Sequence, residues 1–420
     1  MIDKNLFLYD LAVVAIFKNE ARYLKEWLDY HLLAGVDHFF LYNNDSSDDF
    51  REVLAPYVKK NLVTLTDWPG KLMMYPAYYD AIEKFRFTCR FMAFIDLDEF
   101  IFPKNKPGGG ISEVVDKILS RYSNAAGLGI NWQCFGSNGH EKADYSRGVL
   151  ERFTRRAPSD WESDVGSKAG NFFKKVIDNP RLIRYRINPH FSYYFDENYV
   201  VNFNGEPMYP WYGSEPILID KIVINHYYTK SREEFEKKKM PKGSCCMNYD
   251  YVMENFYKFD RNEIFDDGIL KYRAAREKNF SLESDEQKIS RVINSLVRTL
   301  TQNPPAESKL ETFLTCRAVA EKFQIKIGDT FAEEFALAWI YRTLPEMTTR
   351  AQVQMFLCTL PEILSRPFPV CKEILRLTQS KVIPKLCKTL KNGDVMTGGE
   401  DWQARSRWQY VQKLLRLIKL

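Results

Sequence analysis

No apolar run in this 420-residue chain approaches the ~20 residues that a membrane span requires. The first apolar stretch, Leu11 to Phe17, follows Asp3 and Asp10 and is too short and too acidic for a signal peptide. Long low-complexity tracts and internal repeats are absent, which argues against disordered and solenoid classes. CxxC pairs are absent too. The eight cysteines (Cys89, Cys134, Cys245, Cys246, Cys316, Cys358, Cys371 and Cys387) stand scattered, with no cluster that also carries histidines. That spacing excludes zinc ribbons and dithiol redox motifs. It suits reduced core cysteines of a cytoplasmic protein.

What the chain does have is apolar and aromatic material. Hydrophobic residues make up 45% and aromatics 15%, enough for an ordered globular protein, and the length exceeds one ordinary core, so two domains are expected. The net charge of +5 is unevenly spread: from Cys371 to Leu420 there are 11 basic against 4 acidic residues, leaving the remainder slightly acidic.

The first hundred residues alternate strand and helix signals, the pattern of βαβ units and a mostly parallel sheet. Leu11 to Phe17 reads as a buried strand. Leu24, Trp27, Leu28, His31 and Leu32 then fall on one face of a helix that Gly35 stops. Val36 to Tyr42 is a second strand, Asp48 to Tyr57 a helix, Leu62 to Thr66 a third strand and Pro76 to Phe87 an aromatic-rich helix. Phe91 to Ile95 is a fourth strand, with DLDEF at its end. The polar clusters Lys18 to Glu20, Asn43 to Asp45 and Asp96 to Asp98 each follow a strand. They should therefore meet at the carboxyl edge of the sheet, where open α/β folds bind ligands. Beyond about Glu283 the signals are almost wholly helical and glycine is sparse. The expected division is residues 1–282, an α/β domain, and 283–420, an all-α domain.

Asp96 and Asp98, two residues apart just past a buried strand, can reach one hard divalent cation if the chain turns there. A solvated, capped turn is the alternative, and a bare DxD does not choose between them. Glu99 reads as a support for the ligating acids or as structural, rather than as a third ligand. Asp160, Glu162 and Asp164, in PSDWESDVGS, are either candidates for a general base or a solvated acidic loop, and no spacing rule picks among the three. Trp132, Phe135 and His140 in NWQCFGSNGH suit an acceptor-side loop, Trp132 offering a stacking face or lying in the core. Lys174 either meets a phosphate or merely flanks its strand, and His190 in NPHF is a candidate for orienting substrate.

Four segments, AIFKNEARYLKEWLDYHLLAGVDHFFLYNND, FMAFIDLDEF, NWQCFGSNGH and INHYYTKSREEFEKKK, in that order and spacing, resemble glycosyltransferase family 92 and bacterial relatives of family 2. The likeness covers roughly residues 11 to 240. It implies a GT-A type, Rossmann-like, mostly parallel mixed sheet flanked by helices, a nucleotide-sugar donor, Mn2+ or Mg2+, and inversion at the anomeric carbon. Carried over, Asp96 and Asp98 match the metal motif and His226 the later histidine that completes it. Lys18, Asn19 and Glu20 match the nucleotide side, to which Asp80 and Leu97 are also assigned. Asn43 stands where many family 2 members have an aspartate, which leaves the base less defined, with uridine the first choice.

The last fourteen residues place Trp408, Val411, Leu414, Leu415 and Ile418 on one helical face and Lys413, Arg416 and Lys419 on the other. This suits either peripheral contact, through residues 407–420, with an anionic membrane carrying a lipid-linked acceptor, or packing on the chain's own helices. The expected protein is a cytoplasmic glycosyltransferase, peripheral at the inner face of the membrane if that helix inserts. It would add sugars to a polysaccharide or lipopolysaccharide-type glycan and need no nucleic acid. A nucleotidyltransferase would share the sheet and the acids, but no glycine-rich signature follows the first strand. A non-enzymatic membrane or nucleic-acid binder would leave the buried-strand DLDEF unexplained.

Overall fold

A computed structural model describes residues 3–301, except 105–108, 123, 163–169, 187, 195–197, 211, 215, 245–249 and 279, together with Thr315 and Val319. The chain divides into two compact units, Phe7–Asn294 and a second made of Met1–Leu6 with Ser295–Leu420. Of the second unit the described part is small; within it Ser295 Oγ donates to Asp3 Oδ2 at 2.6 Å. The amphipathic segment 407–420 and nearly all of the expected helical domain lie outside the described residues.

The first unit is built on a ten-stranded mixed sheet. Strands β1 (Tyr9–Phe17), β2 (His38–Asn43), β3 (Val63–Asp67) and β4 (Cys89–Phe94) form its parallel half, with β1 between β2 and β4. β1 has helices and other elements over both faces, so almost every residue in it is buried, which accounts for its unbroken apolar run. The intervening helices α1 (Ala21–Leu33), α2 (Phe50–Lys59) and α3 (Met74–Phe85) complete the expected alternation within a few residues of its predicted ends. α1 stops where expected: Gly35 takes φ +94°, its N–H bonds the carbonyl of Leu32 and that of Val36 the carbonyl of His31, the paired closure that favours glycine there.

The other half is mixed. β5 (Glu99–Phe102) follows the acidic turn, and helix α4 (Ile111–Leu119) leads to the fully buried β6 (Ala125–Cys134). After the short β7 (Arg155–Arg156), β8 (Lys174–Asp178) runs antiparallel between β4 and β6. Next come β9 (Ile183–Tyr185) and β10 (Tyr193–Tyr194), a separate small ladder. β11 (Tyr199–Val201) and β12 (Pro207–Met208) extend the main sheet beyond β6. β13 (Val223–His226) lies between β5 and β6, and β14 (Ile264–Phe265) pairs with β7. Because β8 runs against β4, its first residues lie beside the last residues of β4, at one sheet edge. That reversal brings a later part of the chain onto the turn Asp96 to Asp98.

Candidate active site

The carboxyl ends of β1, β4 and β13 and the start of β8 enclose a cavity of about 460 Å3, whose lining includes Lys18, Asn19, Glu20, Asp96, Leu97, Asp98, Trp132, Lys175, His190 and His226. Two loops at its mouth clasp each other. Asn19 sits at φ +53°, a left-handed position that a non-glycine residue takes only when its surroundings hold it. Here its N–H donates to Ser46 Oγ at 2.9 Å and its Oδ1 accepts from the Ser47 N–H at 2.8 Å.

Each aspartate of the turn has a cation on it. Lys175 Nζ donates to Asp96 Oδ2 at 2.9 Å and lies 3.4 Å from Glu99 Oε2. Lys239 Nζ donates to Asp98 Oδ2 at 2.8 Å and sits 3.6 Å above the Tyr228 ring. Burial opposes the charge of Lys175, but Asp96 and Glu99 outweigh it and raise its pKa. Burial likewise works against the Asp98 carboxylate, yet Lys239 and His226 hold it well below the ordinary range. Glu99 is fully buried and is pushed up to about 8 by burial, against the pull of Lys175. Its Oε2 accepts the Asp96 N–H at 2.8 Å and its carbonyl accepts Trp27 Nε1–H at 2.9 Å, a structural anchor for the turn, as the sequence suggested.

His226 Nε2 lies 3.5 Å from Asp98 Oδ1, while its Nδ1 is buried with no hydrogen-bond partner among the described residues. Such an imidazole is under-satisfied, and the separation from Asp98 Oδ1 is one that a single cation bound to both atoms would span. Among the described residues no group of three or more acidic, histidine or cysteine side chains is gathered around a common point; the Asp96 and Asp98 carboxylates are instead paired with Lys175 and Lys239.

Several residues singled out in the sequence fall elsewhere. Phe135 is fully buried and packs against Tyr227 with ring centroids 4.8 Å apart, so it is core and not an acceptor contact. Lys174 points to the opposite side of β8 from Lys175, donating to the Gly213 carbonyl at 2.7 Å, and burial lowers its pKa to about 8. It meets backbone rather than phosphate. His140 packs edge-on to Phe153 away from the cavity. Asn43 donates to Asp67 at 2.9 Å, and Asp80 accepts from Tyr42 at 2.8 Å; neither lines the cavity. Asp160 and Glu162 are absent from its lining, and Asp164 lies outside the described residues. Trp132 does line it, with its ring 4.1 Å from that of His226 and 5.3 Å from that of His190.

Two lysines escaped notice in the sequence. Strand alternation says only that Lys174 and Lys175 face opposite sides; that Lys175 meets the acidic turn follows from β8 lying antiparallel beside β4. Lys239 ends a π-helical turn, Phe235–Lys239, a local irregularity common at functional sites and invisible to a 3.6-residue period. The turn is anchored by Glu234, which takes both guanidinium nitrogens of Arg152 at 2.8 and 2.9 Å and the Tyr23 hydroxyl at 2.8 Å.

A second, larger groove of about 1090 Å3 runs along the outer sides of α1 and α2. It is more open and holds none of the acidic turn, so volume does not make it the site.

With this geometry in hand, likeness to known proteins becomes informative. The sequence model of glycosyltransferase family 92 matches residues 13–280. The chain belongs to that family. A family 92 protein of Oryza sativa subsp. japonica is 31% identical over 170 residues, 39% of this chain and 28% of the relative. One from Ricinus communis is 27% identical over 150 residues, 35% and 26%, and one from Arabidopsis thaliana 28% identical over 154 residues, 35% and 27%. The match thus spans under a third of the length of each of these relatives. Crystal structures of S. aureus TarS residues 1–349, one of them in complex with UDP, align over 84% of this chain and 88% of theirs. Identity is 11% and 13%, and the TM-scores are 0.25 and 0.30, too slight a likeness to carry a residue across. For this family 92 chain the cavity at the sheet edge is the candidate site.

Proposed function

We propose that this chain transfers a sugar from a nucleotide-sugar donor, a UDP-sugar first among them, to a saccharide or lipid-linked acceptor with inversion at the anomeric carbon. The observation that carries the reading is the convergence of Asp96, Asp98 and His226 with a lysine-rich wall on one cavity of a family 92 chain. Seven lysines line it against four carboxylates. A wall with surplus positive charge attracts a diphosphate and stabilises it as it leaves, and the cavity is of ordinary size for a small-molecule site.

Asp98 and His226, with Asp96 beside them, are the residues that would hold a divalent cation. Bound there, Mn2+ or Mg2+ would act as a Lewis acid on the leaving diphosphate. The ion pairs at Asp96 and Asp98 support a second reading, in which lysines alone supply the charge. Calorimetry with UDP separates the two. Tenfold or tighter binding with Mn2+ than with EDTA supports the cation. Equal affinity, with turnover kept in EDTA, assigns the charge to the lysines. If UDP binds in neither condition, and no UDP-sugar raises the melting temperature, the sugar-transfer reading is wrong.

A further inference from the structure

We propose that His190 is the general base that takes the proton from the attacking hydroxyl, an inference that rests on the sugar-transfer reading of the cavity. An inverting displacement needs a proton acceptor on the cavity wall. The described carboxylates on that wall each carry a cation: Lys242 lies 2.5 Å from Glu20, Lys175 on Asp96, Lys239 on Asp98 and Arg152 on Glu234. Each of these carboxylates therefore already has a cation, rather than an incoming hydroxyl, on at least one of its oxygens.

His190 is differently placed. Its Nδ1 lies 2.8 Å from the carbonyl oxygen of Lys174. A carbonyl can only accept, so Nδ1 carries the hydrogen and the lone pair of the neutral ring is on Nε2. Nε2 accepts no hydrogen bond from any described residue, and the residue lines the cavity although it is only 8% exposed. The two other buried histidines near the sheet edge contrast with it. His31 is satisfied at both nitrogens, by the Trp27 carbonyl and the Ile101 N–H, and His226 faces Asp98.

The ring is held on both flanks. Trp132 and Phe173 stand with centroids 5.3 and 5.1 Å away. The backbone beside it is tied down by Arg186, which donates to the Pro189 carbonyl at 2.8 Å and to Asp178 at 3.1 Å. Burial first, then the neighbouring Lys175, lowers the imidazole pKa well below its usual value, which favours the neutral ring before reaction; the negative charge gathering on the diphosphate then opposes Lys175 as the proton arrives. In the transfer step the acceptor oxygen forms its bond to the anomeric carbon as its proton passes to Nε2. The bond from that carbon to the diphosphate oxygen breaks, and its electron pair leaves with the nucleoside diphosphate. The imidazolium forms as the diphosphate gains charge, and it afterwards returns the proton to solvent.

The test uses full-length protein with UDP-glucose, UDP-galactose and UDP-N-acetylglucosamine, water serving as acceptor, with and without sodium azide. Azide is already an anion and needs no base. H190Q is expected to slow hydrolysis about 10²–10⁴-fold, the usual contribution of a general base. UDP affinity should stay within about twofold, a tolerance set by uniform binding that a base does not touch. Azide should restore turnover as glycosyl azide. Undiminished hydrolysis by H190Q, or no azide rescue despite intact UDP binding, overturns the proposal. Independently of turnover, long-range ¹⁵N–¹H spectra at pH 7 should show His190 protonated at Nδ1 alone; a proton on Nε2 overturns it too. A wild-type protein that binds no UDP and hydrolyses none of the three sugars counts instead against the sugar-transfer reading.

Discussion

Asp98→Asn is expected to lower UDP-sugar turnover by about 10²–10³-fold, the loss seen when one preorganised electrostatic group is removed from a transition state. Asp98 lies between Lys239 at 2.8 Å and His226 at 3.5 Å, and its ionised form is what both neighbours stabilise. Asparagine keeps the shape and removes the charge. Lys239, already lowered in pKa by burial, with Asp98 opposing that effect, then loses its counter-charge and tends to neutrality, so the wall loses cationic as well as anionic character. If a cation is held there, the preference for UDP with Mn2+ over UDP with EDTA should vanish in the same variant. Steady-state turnover, calorimetry and a melting curve are measured together. Turnover within tenfold of wild type, in a variant of unchanged melting temperature, would remove Asp98 from the chemistry.

The second large effect is on stability. Arg152→Leu is expected to cost about 3–5 kcal/mol, the penalty for stranding one member of a buried ion pair, or a drop of roughly 10 °C in melting temperature for a unit of this size. The Arg152 and Glu234 side chains are each 2% exposed. Glu234 would keep Ser231 and Tyr23 as donors but no positive partner. Adding Glu234→Gln should recover part of the loss, because a neutral amide is cheaper to bury than an orphaned carboxylate.

The pH dependence has a definite sign. Burial opposes ionisation of Glu234, but Arg152 and Ser231 overcome it and bring its pKa down to about 2, below the ordinary carboxylate range. A depressed folded value contributes stability that is present above the unfolded value and lost as pH falls from there through 2. Wild type and R152L should therefore differ most near neutrality and converge in acid. A gap that widens below pH 4 would contradict the assignment, as would a cost under about 1 kcal/mol, which is surface-pair territory.

Much of this was legible beforehand because it is local. The apolar run at Leu11 to Phe17 and the periodic face from Leu24 to Leu32 name a strand and a helix without reference to the rest of the chain. Gly35 marks its stop, and the position of DLDEF after a strand follows from the same reading. Asp96, Asp98 and the segment Lys18 to Glu20 were legible from their places after strands, and His226 from resemblance; the structure gathers them on one cavity.

Partners across long separations were not legible. Asp96 meets Lys175 79 residues away and Asp98 meets Lys239 141 residues away. Both contacts depend on β8 running antiparallel beside β4 and on a π-helical turn. A one-residue choice of strand face separates Lys175 in the site from Lys174 on the backbone of Gly213. The same tertiary placement made Phe135 core and left Asp160 and Glu162 off the cavity wall.

Sequence by itself thus determined the βαβ order, the acidic turn at a strand end and the family. Each is a property of neighbouring residues or of short motifs in order. Only the tertiary structure decided which charges face the acidic turn, since burial and counter-charge are set by elements that meet only after folding.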